Sequence, residues 1–499
     1  MRSATLDPAP SEATLSELSR RAEFCIFLAI FLLNIAFSGG HLYTMDDHTN
    51  FEVVDSLWSR IDLNVQSKDR TRHLNTVSGT DGRQYSYYGL GGPLAYFPFY
   101  ALGRLAGQAH GSVHYLAQAG MSLTNAFATA CTAMLIFMVM VRLGRPARAS
   151  GLAALLYAFM TPAFVWSKHQ SNSVLVGLLF LLAFRLLLES HWKWHVLGGG
   201  ILGFSVNVRY DAIIGVILVI AGVNFILKRW DVRSSAALLV GSFPFAILLL
   251  AYNAFRFGSP WALGYPDLET AGQFRASILS GLFGLLISSN RGLLIYGPVL
   301  WLVPIAWRRV VTNGKWRELS VYAGIPLVYC FFFATLATWH GGMGWGPRYL
   351  ACALPFLCCC MADLFPFHGK FRSLAMGLAL LSLAIQLWGG LVSIDSYHDY
   401  LVENGIDPLL SATHVEYSPL WEIRHVALQF DLSRLPDALT DAPLPAGGYP
   451  ATKALRATPD FWPFYAYKVG IPWPWCLALW SGVFICGLLV LRRAVAILK

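Results

Sequence analysis

Long apolar stretches alternate with short polar ones along most of the chain. Most of these apolar stretches approach or exceed the roughly 20 residues that a helix needs to cross a bilayer. Because lipid offers the backbone no hydrogen-bond partners, each stretch is expected to be helical. The pattern predicts an all-α polytopic membrane protein with about 12 transmembrane helices, near 24–39, 115–141, 149–166, 171–189, 195–208, 212–227, 234–255, 291–307, 319–338, 349–366, 373–394 and 472–491.

Composition and the N-terminal residues support a membrane protein. Of 499 residues, 56% are hydrophobic and 13% charged, whereas about a quarter of a soluble chain is charged. The first 23 residues are polar and include Asp7, Glu12 and Glu17, and Arg20 and Arg21 directly precede the first apolar stretch. These features predict an uncleaved signal anchor whose N-terminus lies in the cytoplasm.

The basic residues of the short loops all fall on one side of the predicted spans. Short positively charged loops stay in the cytoplasm, so this side is predicted to be internal. Orientation therefore explains most of the net charge of +9, which is no argument for a nucleic-acid partner. The clusters are Arg142, Arg145 and Arg148; Lys193; Lys228, Arg229 and Arg233; Arg308, Arg309, Lys315 and Arg317; Lys370 and Arg372; and Arg492 and Arg493.

One apolar segment, 88–107, is not counted as a span. Counting it would place Arg142 and the basic clusters after it outside. Its glycines and Pro98 also disfavour a regular spanning helix. It is therefore predicted to lie in, or dip into, the outer interface, and Gly281 to Ser289 is predicted to be a second segment of this kind.

The segments predicted to lie outside divide the chain into three parts. Residues 1–394 would form a transmembrane domain that includes an outer loop, 40–87. Residues 395–471 would form a small extracytoplasmic cap, and 472–499 the final helix and a cytoplasmic tail. The inner loops carry no nucleotide-binding pattern. The nine cysteines all fall inside predicted spans, which gives no sign of a disulfide framework.

Two adjacent carboxylates, Asp46 and Asp47, follow the first predicted span directly. Ionisable groups at a membrane boundary are costly to place there, which makes these two acids candidates for catalysis. The alternative is that they only cap an interfacial turn. With His48 they could also bind a divalent metal, although no metal cluster or other cofactor is indicated.

Further polar side chains gather on the predicted outer side. Arginine suits phosphate because its guanidinium forms paired hydrogen bonds. Arg209 could instead pair only with Asp211, and Lys168 and His169 could simply anchor a short hairpin. The candidates for phosphate binding are Arg348, Arg291, His340, Lys168 and Arg209, and those for other substrate contacts are His48, Tyr85, Tyr88 and His169.

Four stretches resemble the membrane-embedded GT-C glycosyltransferases that use lipid-linked sugars, including bacterial members of the protein O-mannosyltransferase and aminoarabinose-transferase (ArnT) superfamily. Asp46-Asp47 occupies the place of that family's acid pair, with Asp instead of the commoner Glu at the second position. The segment from Tyr85 to Tyr100 is similar to Y-x-x-P-P-G-x-x-x-x-x-x-P-F, with Gly91-Gly92-Pro93 in place of Pro-Pro-Gly. The other two stretches are Tyr252-Asn253 through Gly264-Tyr265 and Gly341-Gly342 through Arg348-Tyr349.

The resemblance implies an inverting glycosyltransferase in the bacterial inner membrane, with its active site facing the periplasm. The donor would be a polyprenyl-phosphate sugar, and the acceptor a hydroxyl of a glycan, lipid or protein. Asp46 would be the general base, Asp47 would orient the acceptor or raise the pKa of Asp46, and Arg348 would stabilise the leaving phosphate.

Two other classes remain as alternatives: a lipid-linked glycan flippase and a lipid-linked glycan polymerase or ligase. Both would contact membrane lipids and a lipid-linked phosphate. A flippase would need polar residues along its spans, which here are nearly free of charge. The acid pair after the first span favours the GT-C transferase.

Overall fold

The computed structural model describes residues 12–66, 74–228, 231–265, 277–367, 369–431, 458–468 and 470–498. Helices dominate these ranges. The strands that they contain, Thr76–Ser78 (β1) and Gln84–Ser86 (β2), form an antiparallel hairpin with Val77 opposite Tyr85. Expectations on residues 1–11, on Arg229 and on 432–457 of the predicted cap lie outside the described residues.

The helices of the first half follow the predicted apolar stretches, except α2, which forms within the predicted outer loop. They are α1 Glu12–Phe37, α2 Met45–Arg60, α3 Gly91–His110, α4 Val113–Arg142, α5 Ala147–Phe159, α6 Ala163–Trp166, α7 Asn172–Leu187, α8 Trp192–Val208, α9 Ala212–Leu227 and α10 Val232–Phe257.

The helices of the second half are shorter and more often interrupted. They are α11 Ile278–Ile287, α12 Leu293–Tyr296, α13 Val303–Thr312, α14 Leu319–Tyr322, α15 Gly324–Ala334, α16 Leu354–Met361, α17 Gly369–Leu391, α18 Ile394–Glu403, α19 Leu410–Thr413, α20 Pro419–Glu422, α21 Arg424–Ala427, α22 Trp462–Lys468 and α23 Trp473–Ile497. Short 3-10 turns join several of them, at Pro298–Leu302, Trp316–Glu318, Arg348–Leu350, Ala362–Leu364 and Val415–Tyr417.

The predicted all-α polytopic class is confirmed. Each of the twelve predicted stretches coincides with helix, although 149–166, 291–307, 319–338 and 349–366 are each divided between two or more helical segments. By length and composition, five helices within the described ranges could cross a membrane: Val113–Arg142, Val232–Phe257, Trp316–Ala334, Gly369–Leu391 and Trp473–Ile497. Three of the other predicted spans coincide with shorter apolar helices, Ala147–Phe159, Asn172–Leu187 and Ala212–Leu227, and a fourth contains Leu354–Leu364. The number twelve therefore stays a prediction.

The bundle is held together by close helix pairs. α1 packs along α23, where the Trp480 indole donates to the Ala36 carbonyl at 2.8 Å. α8 and α10 also pack as a pair. The predicted interfacial segment forms α3, which packs antiparallel along the first half of α4. Its depth in a membrane, and that of α11, stay predictions.

One end of the bundle is fixed by a buried ion cluster. The Arg145 guanidinium contacts the Glu318 carboxylate at 2.5 Å and the Asp363 carboxylate at 2.8 Å. Arg142 pairs with Glu189, and Arg309 donates to the Leu364 carbonyl, at this same end. The predicted cytoplasmic loops that contain these residues therefore meet in space. Burying the arginine together with two acids avoids the cost of an isolated charge in an apolar core.

The opposite end is covered by the segment after α17. Tyr397 and Leu401 of α18 and Val426 of α21 pack into a second buried cluster with Tyr43 and Trp345. The Asn290 amide donates to the carbonyls of Ser411 at 3.0 Å and His414 at 2.7 Å. The described part of the predicted cap thus packs directly on the loops that carry candidate site residues.

Labelling of introduced cysteines tests the predicted sidedness. Arg145 itself is unsuitable, since it is only 5% exposed, but Arg148 and Arg308 are exposed at the same end. In a Cys486→Ser background, Met45→Cys should react with an impermeant thiol reagent added outside. Arg148→Cys and Arg308→Cys should react only after the membrane is opened. Reaction of position 148 from outside would overturn the assigned orientation.

Candidate active site

The first turn of α2 carries the acid pair and is closed by a capping box. Thr44 is the N-cap residue, and its hydroxyl accepts from the Asp47 amide at 3.3 Å. The Asp47 carboxylate in turn accepts from the amides of Tyr43 at 3.1 Å and Thr44 at 3.0 Å. Such reciprocal bonds satisfy amides that a helix start leaves without partners. The capping alternative therefore describes what Asp47 does in the structure.

Asp47 is also the more deeply buried of the two acids, with 2% of its surface exposed. Burial raises the pKa of the Asp47 carboxyl from 3.8 to about 6, and the nearby Asp46 charge adds to this effect against the hydrogen bonds from Thr44 and Tyr43. Close to neutral pH, Asp47 can therefore take up a proton, whereas its oxygens face its own helix start.

Asp46 points the other way, toward a partly open space. Its side chain is 27% exposed. One carboxylate oxygen accepts from the Asn75 amide at 2.7 Å and from the Tyr88 hydroxyl, and the other accepts from Arg348 Nη1 at 2.9 Å. Three donors fix the orientation of this carboxylate while leaving it reachable from solvent.

The backbone at Tyr88 is held by Arg256, a residue that is not among the candidates predicted from the sequence. Arg256 is fully buried at the end of α10. It donates to the carbonyls of Ser86 and Tyr88 and to the Asn253 side chain. The Tyr252-Asn253 stretch, three residues before Arg256, was the available signal. Burial and the Asp46 charge raise the pKa of Tyr88 well above 10, which keeps its hydroxyl a hydrogen-bond donor.

The glycine-rich loop before Arg348 sets the position of its side chain. Gly341 and Gly342 have φ of +69° and +75°, a left-handed region that favours glycine. A Cβ at Gly341 would lie 3.1 Å from Arg348 Cγ, so the arginine side chain packs directly on the loop backbone. The loop is anchored from α6, because the Trp166 indole donates to the Trp345 carbonyl at 2.8 Å.

Arg291 lies on the other side of the same loop. It is fully buried and donates to the carbonyls of Asn290 at 2.7 Å and Gly342 at 2.9 Å. Its Nε has no hydrogen-bond partner. Among the described residues, no carboxylate lies within ion-pair distance of Arg291. The guanidiniums of Arg291 and Arg348 therefore flank Gly342, and the Asp46 carboxylate pairs with that of Arg348.

His340 accepts from the Gly342 amide through Nδ1 at 3.0 Å. Burial and the charges of Arg291 and Arg348 lower the pKa of His340 to about 4, so it is neutral at physiological pH. The structure thus brings Arg348, Arg291 and His340 together around one loop, next to Asp46 and Tyr88.

The other predicted residues have partners of their own. Lys168 pairs with Asp460 at 2.7 Å. Arg209 pairs with Asp211 at 2.9 Å, as the alternative expected, and lies 5.4 Å from the Tyr349 ring. Tyr85 donates to Asp81 at 2.8 Å.

Two predicted histidines complete the set. The His169 ring stacks on Tyr43 with 4.2 Å between centroids, and burial, with the Lys168 charge, lowers the pKa of His169 to about 3. His48 is buried in α2. Substrate contacts by Tyr85, Tyr88, His48 and His169 stay predictions.

No group of three or more His, Cys, Asp or Glu side chains in the described ranges is placed to hold a metal ion. One oxygen of Asp47, Oδ2, already accepts from two backbone amides. These observations add no support to the metal alternative.

Asp47 should make stability depend on pH. Its native pKa is raised, so the folded state gains stability from the protonated acid below about pH 4. That gain is lost as pH rises to about 6 and amounts to about 3 kcal/mol at 1.36 kcal/mol per unit. Relative to Asp47→Asn, the wild type should therefore lose melting temperature as pH rises through this window.

Melting of both proteins in detergent between pH 4 and 7.5 measures this difference, with Asp55→Asn on the same helix as control. A difference between wild type and Asp47→Asn that stays constant with pH would contradict the assignment.

Comparisons with known proteins are sparse at the sequence level. No family model matches the chain, and no curated protein matches it.

Among solved structures, the chain is similar to ArnT from Cupriavidus metallidurans in the apo state, with 14% identity and a TM-score of 0.47 over 98% of this chain and 74% of that one. The same protein bound to undecaprenyl phosphate gives 13% identity and a TM-score of 0.47 over 98% and 77%. The archaeal oligosaccharyltransferase AglB from Archaeoglobus fulgidus, in complex with an inhibitory peptide and a dolichol-phosphate, gives 10% identity and a TM-score of 0.42 over 91% and 65%.

Proposed function

We propose that this protein is an inverting glycosyltransferase that moves a sugar from a polyprenyl-phosphate donor to an acceptor hydroxyl on the outer face of the bacterial inner membrane. The observation that carries the proposal is the 2.9 Å contact between the Asp46 carboxylate and the Arg348 guanidinium. A group that can accept a proton and a group that can hold a phosphate lie side by side at one end of an apolar bundle.

The reaction is a single displacement. The acceptor oxygen attacks the anomeric carbon, and its proton passes to Asp46. The bond from the anomeric carbon to the phosphate oxygen breaks, and the polyprenyl phosphate leaves with the electron pair. Attack opposite to the leaving group inverts the anomeric centre. Tyr88 and Asn75 hold the carboxylate in one orientation throughout, which reduces the entropic cost of reaching the transition state.

Phosphate binding is supported by the charge balance around Gly342. Arg291 is buried without a carboxylate partner among the described residues, and an uncompensated buried charge is costly. A phosphate between Arg291 and Arg348 would remove this cost and receive paired hydrogen bonds. Charge on the leaving phosphate grows as its bond breaks, so both guanidiniums would act more strongly in the transition state.

The apolar helices below the site suit the polyprenyl chain, which would stay in lipid while its phosphate reaches the loop. The acceptor is a hydroxyl of a glycan, lipid or protein. A flippase transfers no group from one molecule to another and needs no proton acceptor. The Asp46 carboxylate therefore favours a transferase over a flippase.

Asp46→Asn tests the base. The amide keeps the size and hydrogen-bonding capacity of the carboxylate but accepts protons poorly. Turnover per purified molecule should fall by roughly 10²–10⁴-fold, while donor binding persists. The readout is transfer from a synthetic polyprenyl-phosphate sugar in detergent or liposomes.

Asp55 provides a matched control for that variant. It also lies on α2 and also accepts from a tyrosine, Tyr100, and an arginine, Arg104. Asp55→Asn should keep its turnover per folded molecule. Near-normal transfer by Asp46→Asn would pass the role of base to Asp47.

Arg348 and Arg291 are tested together. Alanine at either position should weaken donor binding and slow transfer by roughly 10²–10³-fold. Arg348→Lys should recover only part of the rate, because an ammonium keeps the charge and loses the paired geometry. Arg104→Ala is the control.

Transfer normalised to folded protein separates phosphate binding from anchoring of the loop. Full specific activity in Arg348→Ala would assign Arg348 to the loop and leave Arg291 as the phosphate partner. Full activity in both alanine variants would contradict phosphate binding at this loop.

A further inference from the structure

The chain returns to the start of α2 near its C-terminal end, through a buried carboxylate. Asp460 is 7% exposed. One of its oxygens contacts His41 Nε2 at 2.8 Å, and the other accepts from the Tyr43 hydroxyl at 3.0 Å and contacts Lys168 Nζ at 2.7 Å. We name Asp460, His41, Tyr43 and Lys168 the Asp460 clamp. Within it, His41 lies 419 residues before Asp460 in the sequence, and Lys168 lies 292 residues before it.

Backbone bonds fix the clamp on every side. Lys168 Nζ also donates to the carbonyls of Gly390 and Asp460, each at 2.7 Å. The Asp460 amide donates to the Leu391 carbonyl at 2.9 Å, and the Trp462 amide donates to the Ser38 carbonyl at 2.7 Å. The ends of α1 and α17 and the loop after α6 are thereby joined to Asp460 and Trp462.

The clamp is closely packed around an ionised carboxylate. A Cβ at Gly39 would lie 2.6 Å from an Asp460 oxygen, so any larger residue at position 39 would clash with the clamp. Burial alone would raise the pKa of Asp460, but the charges and hydrogen bonds of Lys168 and His41 hold it well below its usual range. Because the acid stays ionised, its hold on the Tyr43 hydroxyl persists across the physiological range.

Tyr43 connects the clamp to the acid pair. Its side chain is held by Asp460, and its amide donates to the Asp47 carboxylate within the capping box of α2. His169 stacks on the same ring. Asp46 is the second residue of that helix, so a shift of Tyr43 moves the first turn and with it the carboxylate that meets Arg348.

We propose that Asp460 is a positioning residue, which acts through Tyr43 to hold the first turn of α2 and set Asp46 against its reaction partners. The proposal rests on the proposed glycosyl transfer for its kinetic consequence, whereas the ordering of the helix start does not depend on the reaction. It gives residues 458–468 a role in the active site that requires no contact with substrate.

Kinetics test this role with two variants of different severity. Asp460→Asn removes the charge, and Tyr43→Phe removes only the hydroxyl that Asp460 holds. Asp460→Asn should lower kcat per folded molecule by roughly 10–100-fold, since small misplacements of a reacting group have effects of this size. Tyr43→Phe should lower it less, and donor KM should change little in both.

The combined variant shows whether the two residues act as a unit. If Asp460 works through Tyr43, Asp460→Asn with Tyr43→Phe should be no slower than Asp460→Asn alone. If the rate of the double variant falls by the product of the two single effects, Asp460 does not act through Tyr43, and the proposal is overturned. Asp363→Asn is the matched control, because Asp363 is also a buried acid paired with a cation, at the opposite end of the bundle. It should melt earlier but keep its kcat.

A measurement without substrate separates this proposal from the proposed function. A spin label on Met45→Cys, in a Cys486→Ser background, reports the motion of the first turn of α2. Asp460→Asn should increase that motion, and Asp363→Asn should not. Unchanged motion, together with wild-type kcat in Tyr43→Phe and Asp460→Asn, would overturn the proposal. Increased motion in a protein without transferase activity would uphold the positioning and reject the reaction.

Discussion

Neutralising charge inside an apolar helical bundle is the constraint on which this structure depends. Buried cations are held by acids brought from distant parts of the chain, as Arg145 is by Glu318 and Asp363 and Lys168 is by Asp460. Each such group fixes several loops at once, because the cost of leaving a buried charge unpaired exceeds the cost of ordering the loops around it. Arg291 is different, since within the described ranges no acid meets it. Arg256 is also buried without an acid in those ranges, but all three of its nitrogens have hydrogen-bond partners, whereas Nε of Arg291 has none. The site therefore contains a buried guanidinium that the described protein groups do not fully satisfy.

The fold class could be predicted because hydropathy decides it. Apolar stretches in lipid have few alternatives to helix, and the predicted stretches coincide with helices in the structure. Lengths were predicted less well: Pro298 and the glycines around it divide the 291–307 stretch into short turns. Breaks of this kind depend on tertiary partners, such as the bond from the Val299 amide to Ser382, and such partners cannot be found from local pattern.

The acid pair shows how far local sequence can lead. Thr44 lies three residues before Asp47, which is the spacing of a capping box. Because consecutive helical residues point in different directions, a capping role for Asp47 turns Asp46 away from the helix start. Asp47 turns back to the helix start, and Asp46 turns outward. Asn75 had no comparable local signal, and the nearby Tyr252-Asn253 stretch did not indicate what Arg256 contacts. Their importance comes from contacts with residues 29 and 170 positions away, which only the folded chain brings together.

The Arg145 cluster has a consequence for how the chain is made. Its acidic partners follow 173 and 218 residues later, so Arg145 leaves the ribosome long before either of them. On the predicted orientation, its charge acts during that interval to retain the loop between α4 and α5 on the cytoplasmic side, as the positive-inside rule describes. Once Glu318 and Asp363 are inserted, the same guanidinium is withdrawn from solvent into the bundle. On that orientation, one residue acts first as a topogenic signal during synthesis and afterwards as an internal ion-pair partner.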